Sequence, residues 1–456
     1  MSLRKFTVAV VVALAVGCLA SEAAPVVSGG NVRLRVLSNG LRVVVKEERS
    51  WPIVAMGMYV RAGSLHETDG QAGAAHLVEH LLFEFEPAEG EAKVAQYIES
   101  IGGRMNAFTT RDFTRVDITV ANSYVEAALE SLIRTIFAAD LQEEDIVHEQ
   151  RIVCREIADM GDSAQGEMDS ALWDLAFEEH PYGRPIGGTD KQVRSLTVQK
   201  IREFYNTFYV PNNMSLVVVG RIDPDWLFSR VEQLTAGYKA KQVKWQEPAR
   251  EAVQTEVRKH MTTRDSEVTM LSYGWHAPGM PDKRDICATD LTYTILGQRR
   301  TGRLDKLLVQ EKQWAVQVDV GYLTQRHPGL LVINAVISEQ NELPVRRAIL
   351  EQVQRLVDEK VSDQELARAK LLLRTEYAFG NESYAGQVTS MGFYEAIDTY
   401  EFAVDYIDCV NAITADDIQA VARKIFRPDS YSIVILRREK DAPPTQEVRS
   451  SCPAAS

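Results

Sequence analysis

The chain has 456 residues, 45% hydrophobic and 25% charged, which is the composition of an ordinary globular protein with material for two or three domains. Its 51 lysines and arginines are outnumbered by 64 aspartates and glutamates, giving a net charge of −13. This acidic balance argues against a general nucleic-acid-binding function.

The N-terminus has the pattern of an export signal. Two basic residues precede the apolar run 6–20, which is short for a membrane span and typical of a signal peptide. We expect cleavage after Ala23, so that residues 1–23 are a signal peptide and the protein reaches the periplasm or the cell envelope. An imperfect lipobox at 15–18 is the alternative, and it would leave a lipid anchor on Cys18.

The cysteines are few and widely separated. Their spacing matches neither a zinc knuckle nor the dense framework of a disulfide-stabilised domain. Disulfides remain compatible with an oxidising compartment, but the sequence does not pair the five residues Cys18, Cys154, Cys287, Cys409 and Cys452.

The first elements after the signal peptide are strands. Residues 32–37 alternate in polarity, 38–40 form a turn, and 41–46 return as a hairpin partner. A further strand is predicted over 53–60. Residues 68–71 then supply a capping-box pattern in front of the next helix.

That helix contains the motif H-x-x-E-H. His76 and His80 are four residues apart, so on a helix both imidazoles and Glu79 lie along one face. Two such histidines can bind one zinc ion, and a catalytic zinc has three protein ligands and one position open to water. Glu79 adjoins His80 and is better suited to accept a proton from that water. The order of residues is that of the inverted zinc-protease motif, although short motifs also recur by chance.

The segment after the next helix, residues 92–101, has two interpretations. Residues 104–114 are short and polar and precede the alternating strand 116–120. They are consistent with an edge strand whose free main-chain groups pair with an extended peptide, and equally with a plain surface hairpin.

Two helices are predicted over 123–138 and 143–160. In the second, Glu149 and Glu156 are seven residues apart and therefore face the same way. Either glutamate could be the third metal ligand, and a solvated charged face is the alternative for both.

The remaining pattern indicates a duplication. The first half continues with helices at 171–177, 198–208 and 224–234 and a strand at 214–219, and a polar linker follows at 238–255. The second half has strands at 268–275, 316–322, 330–336 and 432–436, and helices at 287–296, 303–311, 343–359, 363–377 and 415–426. Both halves end in a helix, a proline-containing turn and an apolar strand. We therefore predict an α+β fold of two homologous domains, 24–237 and 256–438, each a mixed β-sheet with helices packed on one face, before a flexible tail at 439–456. The second domain has no metal motif.

Six segments in order resemble the pitrilysin, or insulinase-like, family of inverted-motif zinc metallopeptidases in its short bacterial form. The resemblance covers nearly the whole mature chain and implies half of a clamshell that encloses a chamber. The matching segments are Asn39-Gly40-Leu41, Arg61-Ala62-Gly63-Ser64, residues 75–83, Gly102-Gly103 with Asn106-Ala107-Phe108-Thr109, His180-Pro181-Tyr182-Gly183, and residues 209–214.

The resemblance implies a role for several residues. The family's third zinc ligand is a glutamate some 76 residues after the second histidine, which is Glu156 here, and Glu149 matches a glutamate that supports the site. Asn106 and Ala107, with Phe108 beside them, match the strand that pairs with substrate.

One departure from the family pattern concerns the second domain. Complete family members have a segment S-R-L-x-x-x-L-R-x-x-x-G-L-A-Y, whose later Arg and Tyr stabilise the oxyanion of the transition state. Here these positions are Val309 and Val316, and the Gly position is Gln313. Smaller departures are residues 84–86 and Arg115.

These features together favour an exported zinc metalloendopeptidase subunit that cleaves peptides or unfolded segments. The missing pair implies a heterodimer in which a homologous partner supplies the Arg and the Tyr. The alternatives are a non-catalytic structural or binding subunit, and a weak homodimeric peptidase that uses Arg303 or Tyr322 as a substitute donor.

Overall fold

The computed structural model describes residues 31–83, 92–139 and 141–439. The predicted signal peptide with Cys18, the departure at 84–86, and the predicted tail from residue 440 onward lie outside the described residues. Within the described ranges, no helix combines the length and the apolar character needed to cross a bilayer.

The first half forms a six-stranded mixed sheet. Its strands are β1 (Val32–Val36), β2 (Arg42–Glu47), β3 (Ile53–Val60), β4 (Arg104–Thr109), β5 (Thr114–Ala121) and β6 (Met214–Gly220). They lie in the order β1-β2-β6-β3-β5-β4, and only the β2–β6 pair is parallel. The central strand β6 is an almost continuous apolar run and is buried along its whole length, as expected for a strand covered on both faces.

Among its described residues, this half has eight α-helices. They are α1 (Ala74–Phe83), α2 (Val94–Ser100), α3 (Val125–Phe137), α4 (Glu143–Gly161), α5 (Ala164–Ala176), α6 (Asp190–Ser195), α7 (Val198–Phe208) and α8 (Pro224–Thr235). Apolar residues on one side of α1, such as Leu77 and Leu82, join Met56 and Met58 of β3 in the largest core.

The second half forms a five-stranded sheet with its own helices. Its strands are β7 (Arg258–Arg264), β8 (Thr269–Ala277), β9 (Ala315–Tyr322), β10 (Gly329–Ile337) and β11 (Ser432–Arg438). The helices are α9 (Lys283–Gly297), a π-helix at Asp305–Glu311, α10 (Glu342–Asp358), α11 (Asp363–Gly380), α12 (Tyr384–Ile397), α13 (Glu401–Ala412) and α14 (Ala415–Ile425).

The second sheet repeats the topology of five of the six strands of the first sheet. The order β7-β11-β8-β10-β9 repeats β2-β6-β3-β5-β4, including one parallel pair at the same place. The predicted α+β class with two homologous mixed sheets is therefore confirmed. Helix α9 occupies the same place in the second half as α1 does in the first. It lies between β8 and β9 along the chain, as α1 lies between β3 and β4. The exact ends of the predicted domains stay a prediction.

The face of each sheet opposite its own helices is covered by a helix from the other half. Helix α12 packs on β3 and β6, where Val388 and Met391 meet Tyr59 and Val217. Helix α5 packs in turn on β7, β8 and β11 of the second sheet. The predicted helices on one face of each sheet are therefore the helices of the same half. Helices α12 and α5, each from the opposite half, cover the remaining faces.

A buried ion cluster fastens α12 to the first sheet. Glu395 has a side chain that is 0% exposed, and it accepts hydrogen bonds from Arg42 at 2.5 Å, Arg61 at 3.2 Å and the Ser215 hydroxyl at 3.1 Å. The amide of Tyr400 also donates to it at 3.1 Å. A buried carboxylate needs such complete pairing, so the cluster holds the two halves in one register.

The predicted elements differ from the structure where tertiary packing outweighs local pattern. The strand at 53–60 and the helix at 198–208 are confirmed, whereas α6, α12, α13 and β7 were not predicted, the helix at 171–177 is only the end of α5, and 303–311 contains a π-helix. Helix α12 contains Gly386 and Gly392, which disfavour helix, and β7 is polar because it lies at a sheet edge.

Gly392 provides a test of the contact between the two halves. A Cβ at this position would overlap the ring of Tyr59, which is fully buried in β3. We expect Gly392→Ala to lower the free energy of unfolding by about 1–3 kcal/mol, although alanine favours an isolated helix. Chemical denaturation measures the change. Gly321→Ala is the matched control, because a Cβ there meets no atom within 4 Å, and equal stability of the two variants would contradict the packing.

Candidate metal centre

The start of α1 is held by a buried carboxylate. Glu67 is 5% exposed and accepts hydrogen bonds from the amides of Gly73 at 3.0 Å and Ala75 at 2.8 Å. Burial raises the pKa of Glu67 to about 8, while the two amides act in the opposite direction. The predicted capping box at 68–71 is present, but it caps a separate 3₁₀ turn, Asp69–Gln71, ahead of α1. Glu67 is therefore the group that satisfies the helix N-terminus.

Three possible metal ligands converge beside this helix. One ligand atom from each of His76, His80 and Glu156 lies within 4.8 Å of the others. The Glu156 Oε2 atom is 3.3 Å from Nε2 of His80 and 3.9 Å from Nε2 of His76. Ligand atoms bound at 2.0–2.1 Å to one tetrahedral zinc ion lie about 3.3–3.4 Å apart. The side chains present thus fit a zinc ion with small adjustments.

Glu149 takes a different position from Glu156. It is 3% exposed on α4, and its Oε2 atom is 3.1 Å from Nδ1 of His80. This hydrogen bond orients the imidazole and leaves Nε2 of His80 directed toward Glu156. The two glutamates that spacing alone left equivalent are therefore placed differently, with Glu156 beside both histidines and Glu149 behind one of them.

The pKa values of the two histidines are shifted in opposite directions. Burial and the neighbouring His80 lower the pKa of His76 to about 4, so it is neutral near pH 7, as a ligand must be. Burial acts to lower the pKa of His80 as well, but the hydrogen bond that His80 donates to Glu149 and the charges of Glu156 and Glu79 raise it overall. Within the described residues, the buried Nδ1 atom of His76 has no hydrogen-bond partner.

Glu79 faces a cavity next to the three ligands. The cavity has a volume of about 330 Å³ and is lined by Glu79, His80, Asn106, Ala107 and Glu149, among others. Burial raises the pKa of Glu79, against hydrogen bonds from Thr109 and the charge of His80. A carboxylate with a raised pKa beside a metal position can both accept and return a proton.

The strand that lines this cavity has an outer edge that pairs with no other strand of the described residues. Strand β4 is the last strand of the first sheet and packs against α1. Asn106 and Phe108 are exposed, Phe108 to 52%, and Ala107 is half-buried. The structure thus brings Asn106 and Ala107 to the cavity wall and places Phe108 on the same strand outside the cavity lining, and peptide pairing stays a prediction.

The second domain has apolar side chains where the family pattern has the Arg and the Tyr. Val309 packs against the second core, and Val316 on the edge strand β9 is 72% exposed. Gln313 has a φ of 54°, a left-handed conformation that explains why a glycine suits this position.

The two substitute donors are already engaged. Arg303 forms a paired hydrogen bond with Glu365 at 2.8 and 3.0 Å, and the Tyr322 hydroxyl donates to the Pro278 carbonyl at 2.5 Å. These bonds weaken the interpretation in which the chain completes the site by itself.

Sequence reasoning missed three residues around the site. Glu67 caps α1, Thr109 donates to Glu79, and Gly187 lies where a Cβ would be 3.2 Å from Nδ1 of His76. Thr109 was part of a segment already selected for its motif. Glu67 and Gly187 had no local signal, because their contacts join segments that only the fold brings together.

Comparison with known proteins identifies matching family models and relatives. The model described as insulinase (peptidase family M16) matches residues 42–190, and the model described as peptidase M16 inactive domain matches residues 195–373. A protein of Rickettsia felis named an uncharacterized zinc protease is 25% identical over 406 residues, which cover 89% of this chain and 97% of that protein.

Solved structures with the same fold include proteins from two bacteria. A protease from Helicobacter pylori has a TM-score of 0.82 at 21% identity and covers 89% of this chain and 99% of that one. A peptidase M16 inactive domain from Pseudomonas fluorescens has a TM-score of 0.80 at 18% identity and covers 91% and 100%. At this identity the likeness concerns the fold.

The cap on α1 can be tested without any metal. In Glu67→Ala, two buried amides lose their acceptor, and we expect the free energy of unfolding to fall by about 1–3 kcal/mol. Denaturant titration in the presence of a chelator measures the change. Glu203→Ala on the exposed side of α7 is the control. If both variants unfold at the same denaturant concentration, Glu67 does not stabilise the helix.

Proposed function

Because the chain belongs to the insulinase family, peptidase family M16, we propose that it is a zinc metalloendopeptidase subunit that cleaves peptides or unfolded segments. The observation that carries this proposal is the convergence of His76, His80 and Glu156 within 4.8 Å, beside Glu79. The zinc expected for the family would be held by these three side chains.

The residues around the metal position have separable tasks. When bound, zinc would supply a Lewis acid that lowers the pKa of water and polarises a carbonyl. Glu79 would accept a proton from the attacking water and return it to the leaving amine, a role suited to its raised pKa. Glu149 would keep His80 in the tautomer that presents Nε2.

The free edge of β4 would hold the substrate. An extended peptide could add as a further strand, with its main chain bonded to β4 and its scissile carbonyl near Glu79. Recognition through main-chain groups favours unfolded segments over folded proteins. Asn106, Ala107 and Phe108 would line that contact.

The proposal includes a partner subunit and export. Val309 and Val316 leave the chain without the Arg and the Tyr that would stabilise the oxyanion, so a homologous partner would provide them. Export rests on the apolar run 6–20, with a lipid anchor on Cys18 as the variant form.

A non-catalytic structural or binding subunit is the second candidate. The observation in its favour is the apolar character of the second-domain positions, which would leave no oxyanion donor. The complete set of His76, Glu79, His80 and Glu156 favours the catalytic proposal, since a scaffold has no need of it.

Replacing Glu79 separates metal binding from catalysis. We expect Glu79→Gln to bind about one zinc per chain, because the three ligands are unchanged, while peptide hydrolysis falls by a factor of about 10²–10⁴. Elemental analysis and a fluorogenic unstructured peptide, assayed with the partner present, measure the two effects. Glu144→Gln, on the exposed start of α4, is the control. A wild-type chain that binds no zinc at micromolar concentration would contradict the proposal.

Complementation tests the divided site. The chain is co-expressed with a homologous chain that carries Arg and Tyr at the positions of Val309 and Val316. Since one oxyanion donor is worth about 10²–10³ in rate, we expect hydrolysis to rise at least about 10²-fold over either chain alone. A partner with both residues changed to valine is the control. No increase with the intact partner would show that the site is not shared.

A further inference from the structure

Helices α9 and α13 of the second domain lie antiparallel and in contact. The start of α9 contacts the end of α13, and Asp290, farther along α9, contacts the earlier residue Tyr406 of α13. The contacts are Arg284 Nη2 to the Ala412 carbonyl at 3.4 Å, Cys409 Sγ to the Lys283 carbonyl at 3.6 Å, and the Tyr406 hydroxyl to Asp290 Oδ2 at 2.7 Å. This register places Cys287 opposite Cys409.

The two thiols are within hydrogen-bonding distance of each other, and both are free. Their surroundings differ. Cys287 is 0% exposed, and its hydrogen bond to Cys409 and its burial raise its pKa. Cys409 is only half-buried, and the hydrogen bond from Cys287 together with the nearby Arg284 guanidinium lowers its pKa. One thiol is thus the more accessible nucleophile, and the other is sheltered beside it.

The remaining described cysteine differs from this pair. Cys154 is buried in the first domain, where its thiol lies 3.9 Å from the Asp190 carbonyl. Cys154 lies on α4 of the first half, whereas Cys287 and Cys409 lie on the adjoining helices α9 and α13 of the second half. It therefore serves as an internal reference.

We propose that Cys287 and Cys409 form a reversible disulfide that joins α9 to α13. The inference rests on the register of the two helices and on the contact between the thiols, and it is independent of the proposed peptidase activity. It assigns a pairing that the spacing of the five cysteines left open.

The chemistry needs an oxidant, which is a small-molecule or protein disulfide. The Cys409 thiolate attacks one sulfur of that disulfide, forms a mixed disulfide and releases the first thiolate. Cys287 then loses its proton and attacks Sγ of Cys409, which releases the second thiol. Two protein thiols are oxidised to one disulfide, and one external disulfide is reduced to two thiols. A dithiol reductant reverses the sequence.

The crosslink would act on a large part of the second domain. It closes a loop of about 120 residues, and long loops lose the most conformational entropy in the unfolded chain. Helix α13 also packs on α12, the helix that covers the first sheet. The disulfide would therefore stabilise the layer that links the two halves.

The test uses the full-length chain, first reduced and then equilibrated with oxidised glutathione. We expect a non-reducing digest to yield one peptide pair linked through Cys287 and Cys409. The melting temperature should rise by about 4–16 °C and return to its starting value with dithiothreitol. This comparison uses a single polypeptide and depends on no variant.

Three variants serve as controls. Cys409→Ser and Cys287→Ser should abolish the rise in melting temperature, whereas Cys154→Ser should keep it. Glutathione attached to Cys409 without linkage to Cys287 would overturn the proposal, as would an absence of any modification. A bond from either residue to Cys154, Cys18 or Cys452 would overturn it as well.

Discussion

A β-sheet has two faces, and each domain of this protein has helices enough to cover only one. The other face is closed by a helix that belongs to the opposite half, α12 on the first sheet and α5 on the second. Glu395 of α12 is bonded to Arg42 and Arg61 of the first half without any exposure to water. A charge buried in this way tolerates no sliding, because any shift would leave it unpaired. The packing of α12 and α5 on the opposite sheets therefore fixes the relative position of the two halves.

The candidate metal site depends on the first sheet, one face of which α12 covers. Helix α1 packs on β4 and on α4, so one sheet and one helix position both histidines, Glu79 and the two glutamates. Glu67 satisfies the start of α1 from outside the helix. The same burial that orders these groups also shifts their proton affinities, lowering the pKa of His76 and raising that of Glu79. Stability and chemical reactivity thus have a common physical source.

Local pattern was sufficient for part of this structure. Alternation predicted β1 and the middle of β5, and helical spacing placed His76, Glu79 and His80 on one face of α1. The choice of Glu156 over Glu149 came from the family resemblance, because residues two turns apart look alike in sequence. Helix α12 was missed because its Gly392 serves a contact with Tyr59 rather than helix formation. Similarly, the closeness of Cys287 and Cys409 depends on two helices that are distant in sequence.

The exchange of α12 also has a consequence for synthesis on the ribosome. About 160 residues separate the end of β6 from the start of α12. At typical elongation rates of 5–20 residues per second, the first sheet waits roughly 8–30 s for the helix that covers it. During that time the apolar face formed by Val44, Tyr59 and Val217 is open to solvent and to other chains. The nascent protein is thus most vulnerable to aggregation after its candidate metal site has been synthesised and before α12 has emerged.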